Sequence, residues 1–211
     1  TNLLFMSPDK PFKRMLVTSS GPQEGKSTVA INLGVTMAQS GNRVLLVDTD
    51  MRRPRLHKAF GVPNDVGVSS LVVGEGKMED AIKSTDVPGL YVLPCGPVPP
   101  NPAELLHTKA FAELLGQLGE KFDRVVLDSP PVGAVADAVV LATQADGVVM
   151  VLKAGKTNRD LAQRTVRALR DVKAPIYGAV LNDVDLERSK YGDYYYGYAY
   201  RYYGEQQKKE A

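Results

Sequence analysis

The run Ser20-Gly21-Pro22-Gln23-Glu24-Gly25-Lys26-Ser27-Thr28 has the residue types and spacing to hold a polyphosphate. Gly25 lets backbone N–H groups approach an anion closely. The positive end of a helix beginning at Ser27 favours negative charge there. Lys26 has the reach for β- and γ-phosphates, Ser27 a hydroxyl for Mg²⁺, and Thr28 one for an α-phosphate. Gly21, Pro22, Gln23 and Glu24 complete the cradle, so the run reads as a P-loop for ATP or GTP. The usual spacing puts a glycine where Ser20 stands; here it falls one residue later. The bland alternative is a βα turn with a solvated lysine. The apolar run Met15-Leu16-Val17 before the loop and the helical pattern Val29-Ala30-Ile31-Asn32-Leu33 after it weigh against that.

Two further motifs carry carboxylates. Val44-Leu45-Leu46-Val47 leads into Asp48-Thr49-Asp50-Met51-Arg52-Arg53-Pro54. Carboxylates two residues apart on an extended chain point to one side. Val125-Val126-Leu127 leads into Asp128-Ser129-Pro130-Pro131, a Walker B pattern whose aspartate anchors Mg²⁺ directly or through water. Either aspartate motif alone reads equally well as a helix N-cap or a solvated turn. Two apolar strands ending in Asp beside a P-loop favour the metal reading, with Ser27, Asp50 and Asp128 as ligands. The catalytic set is Lys26, Asp48, Asp50 and Asp128. Asp48 is assigned to orienting or deprotonating an acceptor hydroxyl, with Asp50 assisting at the metal; the two roles could be exchanged.

The elements that must position these groups are legible as apolar runs alternating with helical patterns. Strands are expected at 15–18, 43–47, 90–93, 124–127, 148–152 and 176–181. Helices are expected at 27–39, 103–106, 109–118 and 159–172, with short ones near 67–71 and 78–82. Continuously apolar, β-branched runs suit a sheet buried on both faces. Alternation with helices predicts an α/β fold: a single P-loop domain, mainly parallel, with right-handed crossovers. Ligands then sit at the carboxyl ends of the strands, where all three motifs fall.

At 211 residues and 44% hydrophobic, the chain can bury a full core. A net charge of +2 argues against a dominant nucleic-acid or membrane surface. The single cysteine, Cys95, excludes an internal disulfide framework and suits a reducing compartment. No apolar run approaches the roughly 20 residues needed to span a bilayer. The chain starts at Thr1 and enters a globular pattern at once, as a piece of a longer protein would. No His/Cys cluster suggests a structural metal, His57 and His107 read as surface residues, and Arg159, Arg164, Arg167 and Arg170 read as a solvated helix face.

After about residue 187 the character changes. Eight of the 10 tyrosines lie there: Tyr191, Tyr194, Tyr195, Tyr196, Tyr198, Tyr200, Tyr202 and Tyr203. The expected division is a P-loop domain over 1–186 and a flexible tyrosine-cluster tail over 187–211. The tail reads as a bland aromatic segment, a stacking surface for single-stranded nucleic acid, or an array of phosphoacceptors.

The three motifs in this order, with Gly96-Pro97-Val98-Pro99-Pro100-Asn101-Pro102-Ala103-Glu104-Leu105-Leu106, Val180-Leu181-Asn182 and the terminal tyrosines, resemble the bacterial tyrosine kinases (BY-kinases). The resemblance covers nearly the whole chain. It implies a MinD/ParA-like fold, ATP and Mg²⁺ as cofactors, Asn182 among the nucleotide-binding residues, and phosphorylation of the tail tyrosines between molecules. It also implies partners: other copies in a ring, and a membrane-embedded activator of polysaccharide polymerisation and export. The location implied is the cytoplasmic face of the membrane, reached through a fused or partner transmembrane protein. No nucleic-acid partner is implied. Two departures stand out. The family has Gly where Gln23 stands, and its Glu-led, Arg-rich assembly helix lies upstream of Thr1. The competing readings are a MinD/ParA-like positioning ATPase, against which Gly21 stands where a signature lysine would be, and a nucleotide-binding adaptor with an aromatic tail. A phosphorylated tail is expected to be repelled by the Asp48/Asp50 region.

Overall fold

The computed structural model describes residues 12–185. The tail tyrosines therefore lie outside the described residues. Seven strands form one sheet in the order β3-β4-β2-β5-β1-β6-β7. They are β1 (Arg14–Ser19), β2 (Val44–Asp48), β3 (Lys83–Ser84), β4 (Leu90–Leu93), β5 (Arg124–Asp128), β6 (Gly147–Lys153) and β7 (Ile176–Asn182). All neighbours are parallel except β3, a two-residue antiparallel edge on β4. A strand that short carries no periodicity, and the sequence did not signal it.

The continuous apolar runs are explained by burial on both faces. Along β1, Leu16 enters one hydrophobic layer, while Met15 and Val17 enter the other. Along β2, Leu45 and Val47 alternate with Val44 and Leu46 in the same way. The first layer also takes Phe111, Leu114, Leu115 and Leu118 of α6 (Lys109–Lys121), Leu141 of α7 (Asp137–Ala142) and Leu169 of α8 (Arg159–Asp171). The second takes Val29, Ala30, Met37 and Ala38 of α1 (Lys26–Gln39) and Leu56 of α2 (Leu56–Phe60). This division follows from crossover handedness. The step β1→β2 runs one way along the sheet, and β4→β5, β5→β6 and β6→β7 run the other. Right-handed crossovers put α1 on one face and α6, α7 and α8 on the opposite one. The remaining helices, α3 (Val68–Val72), α4 (Met78–Ala81) and α5 (Pro102–Leu106), are short. Among the described residues no helix is long and apolar enough to cross a membrane.

The sheet order sets the site. β2, β5 and β1 are consecutive, and Asp48 pairs in register with Asp128 at the ends of β2 and β5. The loop leaving β1 emerges beside them. The pattern stitches further: Thr49 donates from its N–H and hydroxyl to the Asp128 carbonyl at 2.9 and 2.7 Å, and the Ser129 N–H donates to Val17 O at 3.2 Å.

Candidate active site

A cleft of about 1110 Å³ opens over these strand ends. Its floor is the loop from Pro22 to Thr28, and the opposite wall is the turn Asp50–Arg55 with α2. The caps of the long helices show what the floor is for. Thr108 caps α6 by accepting from the Phe111 N–H, and Asn158 caps α8 by accepting from the N–H groups of Asp160 and Leu161. α1 begins at Gly25 with no side-chain cap. Its first-turn N–H groups thus remain open toward the cleft, the arrangement that receives an anion.

The loop's curvature needs two left-handed residues. Gly25 has φ +91°, and a Cβ there would fall 2.0 Å from Asn182 Nδ2. Gln23 has φ +61°. The glycine-type conformation persists at this position although the residue is Gln, at a cost of roughly 1–2 kcal/mol. Gln23 stays exposed and lines the cleft.

Three residues expected among the nucleotide contacts lie outside the cleft lining and build the loop from behind. Glu24 is buried; its Oε2 accepts from the N–H groups of Ser20 and Gly21 at 2.8 and 3.0 Å. Its Oε1 accepts from the Thr157 hydroxyl on the β6–α8 connection. Asn182 Nδ2 donates to the Glu24 carbonyl at 3.0 Å. Gly21 is thus occupied by the loop's own carboxylate, and Asn182 holds the loop's shape. Gly133, which the sequence reading passed over, allows the Walker B turn to touch the loop: its N–H donates to Ser20 O, and a Cβ there would sit 2.4 Å from that oxygen.

The carboxylates divide their work. Lys26 Nζ lies 2.9 Å from Asp50 Oδ2, with both side chains almost buried. Asp50 Oδ1 accepts from the Arg53 N–H at 3.1 Å. Asp48 is fully buried and outside the cleft lining. Its Oδ2 accepts from the N–H groups of Arg55 and Leu56 at 2.9 Å each, and its Oδ1 takes only a long 3.3 Å bond from the Asp50 N–H. Burial, and then the charge of Asp128, push the Asp48 carboxyl up to about 7, against those backbone bonds. Asp128 is also fully buried, and neither of its oxygens has a hydrogen-bond partner. Burial raises its carboxyl to about 6, opposed first by the charge of Lys26. Two unpartnered anionic oxygens in a buried position fit a cation.

The site also depends on a pair the sequence did not reveal. Arg52 grips Asp137 bidentately, Nε to Oδ2 at 2.9 Å and a terminal nitrogen to Oδ1 at 3.1 Å. Asp137 is fully buried and Arg52 is 44% exposed. The pair ties the turn after β2 to the helix after the Walker B motif. Arg52→Ala leaves a buried carboxylate without its partner. We expect a loss of about 1–3 kcal/mol in urea unfolding, reduced from a fully buried pair because Arg52 is partly solvated. If Arg52→Ala/Asp137→Ala is no more stable than Arg52→Ala alone, the stranded charge is not the cause.

His57, expected at the surface, is half-buried in α2 and lines the cleft. Cys95 is buried, its thiol pushed up to about 12 by burial, and is chemically quiet.

A family profile described as an AAA domain matches residues 21–174. The chain is 44% identical to the tyrosine-protein kinase YwqD of Bacillus subtilis over 93% of its length and 83% of the relative's. It is 36% identical to the putative tyrosine-protein kinase CapB of Staphylococcus aureus, over 93% and 86%. It is 38% identical to the tyrosine-protein kinase ptk of Acinetobacter johnsonii over 83% of the chain, but spans only 24% of that longer protein. Among solved structures, the chimerical protein CapA2B2 superposes with a TM-score of 0.83 at 38% identity, covering 87% of this chain and 81% of the other. The kinase domain of Escherichia coli tyrosine kinase ETK gives 0.79 at 32%, covering 82% and 68%. The cell division ATPase MinD of Pyrococcus furiosus gives 0.71 at 28%, covering 84% and 74%.

Proposed function

The chain belongs to the bacterial tyrosine-protein kinases, and on that footing we propose that its cleft moves the γ-phosphoryl group of ATP onto tyrosines in the 187–211 segment of another copy. The observation that carries the reading is the conjunction of an uncapped P-loop helix with the unpartnered Asp128 carboxylate and the Lys26–Asp50 pair. The MinD-like reading shares the fold but is supported at lower identity.

The open N–H groups of α1 and Lys26 receive the β- and γ-phosphates, Lys26 exchanging its partner Asp50 for them. Ser27, Asp50 and Asp128 would hold Mg²⁺, which, when bound, supplies positive charge against the transferring group and the departing ADP. Asp48 accepts the phenol proton. Its carboxyl, pushed up to about 7, is matched to the task near neutral pH, and Oδ1 is its weakly engaged atom. Because Asp48 is buried, the turn over it must part to admit the phenol. The tyrosine oxygen bonds to the γ-phosphorus as the β–γ bridging bond breaks, releasing ADP. Positioning and charge neutralisation supply most of the rate.

Partners follow the same reading: other copies of the chain, and a membrane-embedded activator that controls polysaccharide polymerisation at the inner face of the membrane. The longer relatives, of which this chain spans about a quarter, support a fused partner.

The test mixes a Lys26→Met chain bearing the full tail with an active chain truncated after Glu187. We expect phosphotyrosine on the inactive partner by mass spectrometry. Its absence, at concentrations where the intact active chain labels itself, would refute transfer between molecules.

A further inference from the structure

The cleft is acidic inside and basic at its outer wall. Asp50 is the one acidic residue in its lining, and Lys26 already holds it. Asp48 and Asp128 lie fully buried beyond the lining. Also lining the cleft are Arg53, Arg55 and Lys58, all exposed. Among the described residues none of these three side chains makes an ion pair or hydrogen bond, in contrast to Arg52 next door, which is committed to Asp137. Backbone bonds hold them in the closed turn: the Arg53 N–H donates to Asp50, the Arg55 N–H to Asp48, and the Lys58 N–H to Arg55 O at 3.1 Å. Through those bonds the wall stands over Asp50 and Asp48, where transfer would occur. The P-loop already supplies Lys26 and a free helix terminus for nucleotide phosphates. The cleft, at about 1110 Å³, exceeds the roughly 300–1,000 Å³ typical of a small-ligand pocket.

We propose that Arg53, Arg55 and Lys58 are an anion-reading wall of the acceptor site, so that a tyrosine with a phosphotyrosine or carboxylate two residues away is a better acceptor than one in a neutral segment. This rests on the kinase reading above. Residues two apart on an extended chain point to one side and lie about 7 Å apart, so in Tyr194-Tyr195-Tyr196 a phosphate on Tyr194 is carried to the wall as Tyr196 enters the site. Each transfer adds about −1.5 to −2 charges, and guanidinium groups bind phosphate through charge-assisted pairs. The first phosphorylation of the cluster therefore promotes the next. The repulsion from Asp48 and Asp50 expected from sequence is replaced by attraction, because the acids are buried and the exposed charge is basic.

The experiment uses the full chain with two peptides spanning residues 189–199 and Tyr196 as the acceptor. One has Phe at the other tyrosine positions; the second carries phosphate on Tyr194 and Tyr198 and Phe at the rest. Initial rates by mass spectrometry should give a kcat/KM about tenfold higher for the phosphopeptide, the ratio shrinking as salt is raised. Arg53→Glu/Lys58→Glu should bring the ratio below one. Peptide binding by fluorescence anisotropy gives a readout independent of turnover. Equal rates and equal binding in wild type overturn the wall while leaving the kinase reading intact. No labelling of either peptide, with tighter charge-dependent binding of the phosphopeptide, upholds the wall and overturns the kinase reading. If the double variant keeps the wild-type ratio and loses only ADP affinity, the cations serve the nucleotide and the proposal falls.

Discussion

Lys26→Met is expected to lower tyrosine phosphorylation by at least about 10³-fold while circular dichroism stays that of the wild type. The ammonium is the one cation of the loop, and methionine matches the stem without the charge. Removing it also strands Asp50, which is 4% exposed and whose Oδ2 lies 2.9 Å from Nζ. A stability loss of about 1–3 kcal/mol should accompany the variant, limited because Asp50 borders the cleft and can hydrate there. Lys26→Met/Asp50→Asn should recover most of that stability and none of the activity. Labelling of the single variant at the wild-type rate would remove Lys26 from the chemistry. Recovery of activity in the double variant would show that the lysine serves only to neutralise Asp50.

Asp128→Asn and Asp48→Asn are expected to abolish turnover by different routes and, at pH 8, to stabilise the nucleotide-free protein. The sign follows from the carboxyls' upward shifts to about 6 and about 7 from an ordinary 3.8. Between about pH 4 and 7 the folded protein holds more protons on these groups than the unfolded chain. Stability therefore falls as pH rises through that window. The amide removes the buried charge and, at Asp48, still offers an oxygen to the N–H groups of Arg55 and Leu56. A gain of about 2–6 °C in Tm at pH 8, vanishing near pH 4, is expected for each. Calorimetry should show Asp128→Asn weakening Mg²⁺-dependent nucleotide binding more, and Asp48→Asn reducing turnover more than affinity. In the wild type, Mg²⁺ affinity should rise with pH between about 5 and 7 with proton release, because only the ionised carboxylate binds the cation. The reverse order of the two variants would exchange the roles. A Tm at pH 8 below that of the wild type would contradict the burial cost of the charges.

What the sequence determined is local and periodic. Strands buried on both faces must be continuously apolar, so β1, β2, β5 and β6 were legible within a residue or two, and the runs of β1, β2 and β5 stopped where a motif began. Lys26, Asp48, Asp50 and Asp128 were legible as candidates from their motifs, and the fold brings them together at one end of the sheet. The tertiary structure decided which group faces what. Glu24 sits inside a phosphate-binding motif yet turns inward, because the Ser20 and Gly21 N–H groups need an acceptor and Thr157 meets it there. Asn182 reaches the same loop across 158 residues of chain, and Arg52 finds Asp137 across 85. Neither pairing leaves a local pattern, since a hydrogen bond between distant segments constrains space and not spacing. Arg52 and Arg53 are adjacent and chemically identical, yet one is bound to a buried carboxylate and the other is free at the cleft mouth. Only the fold, by placing α7 beside the turn after β2, makes that difference.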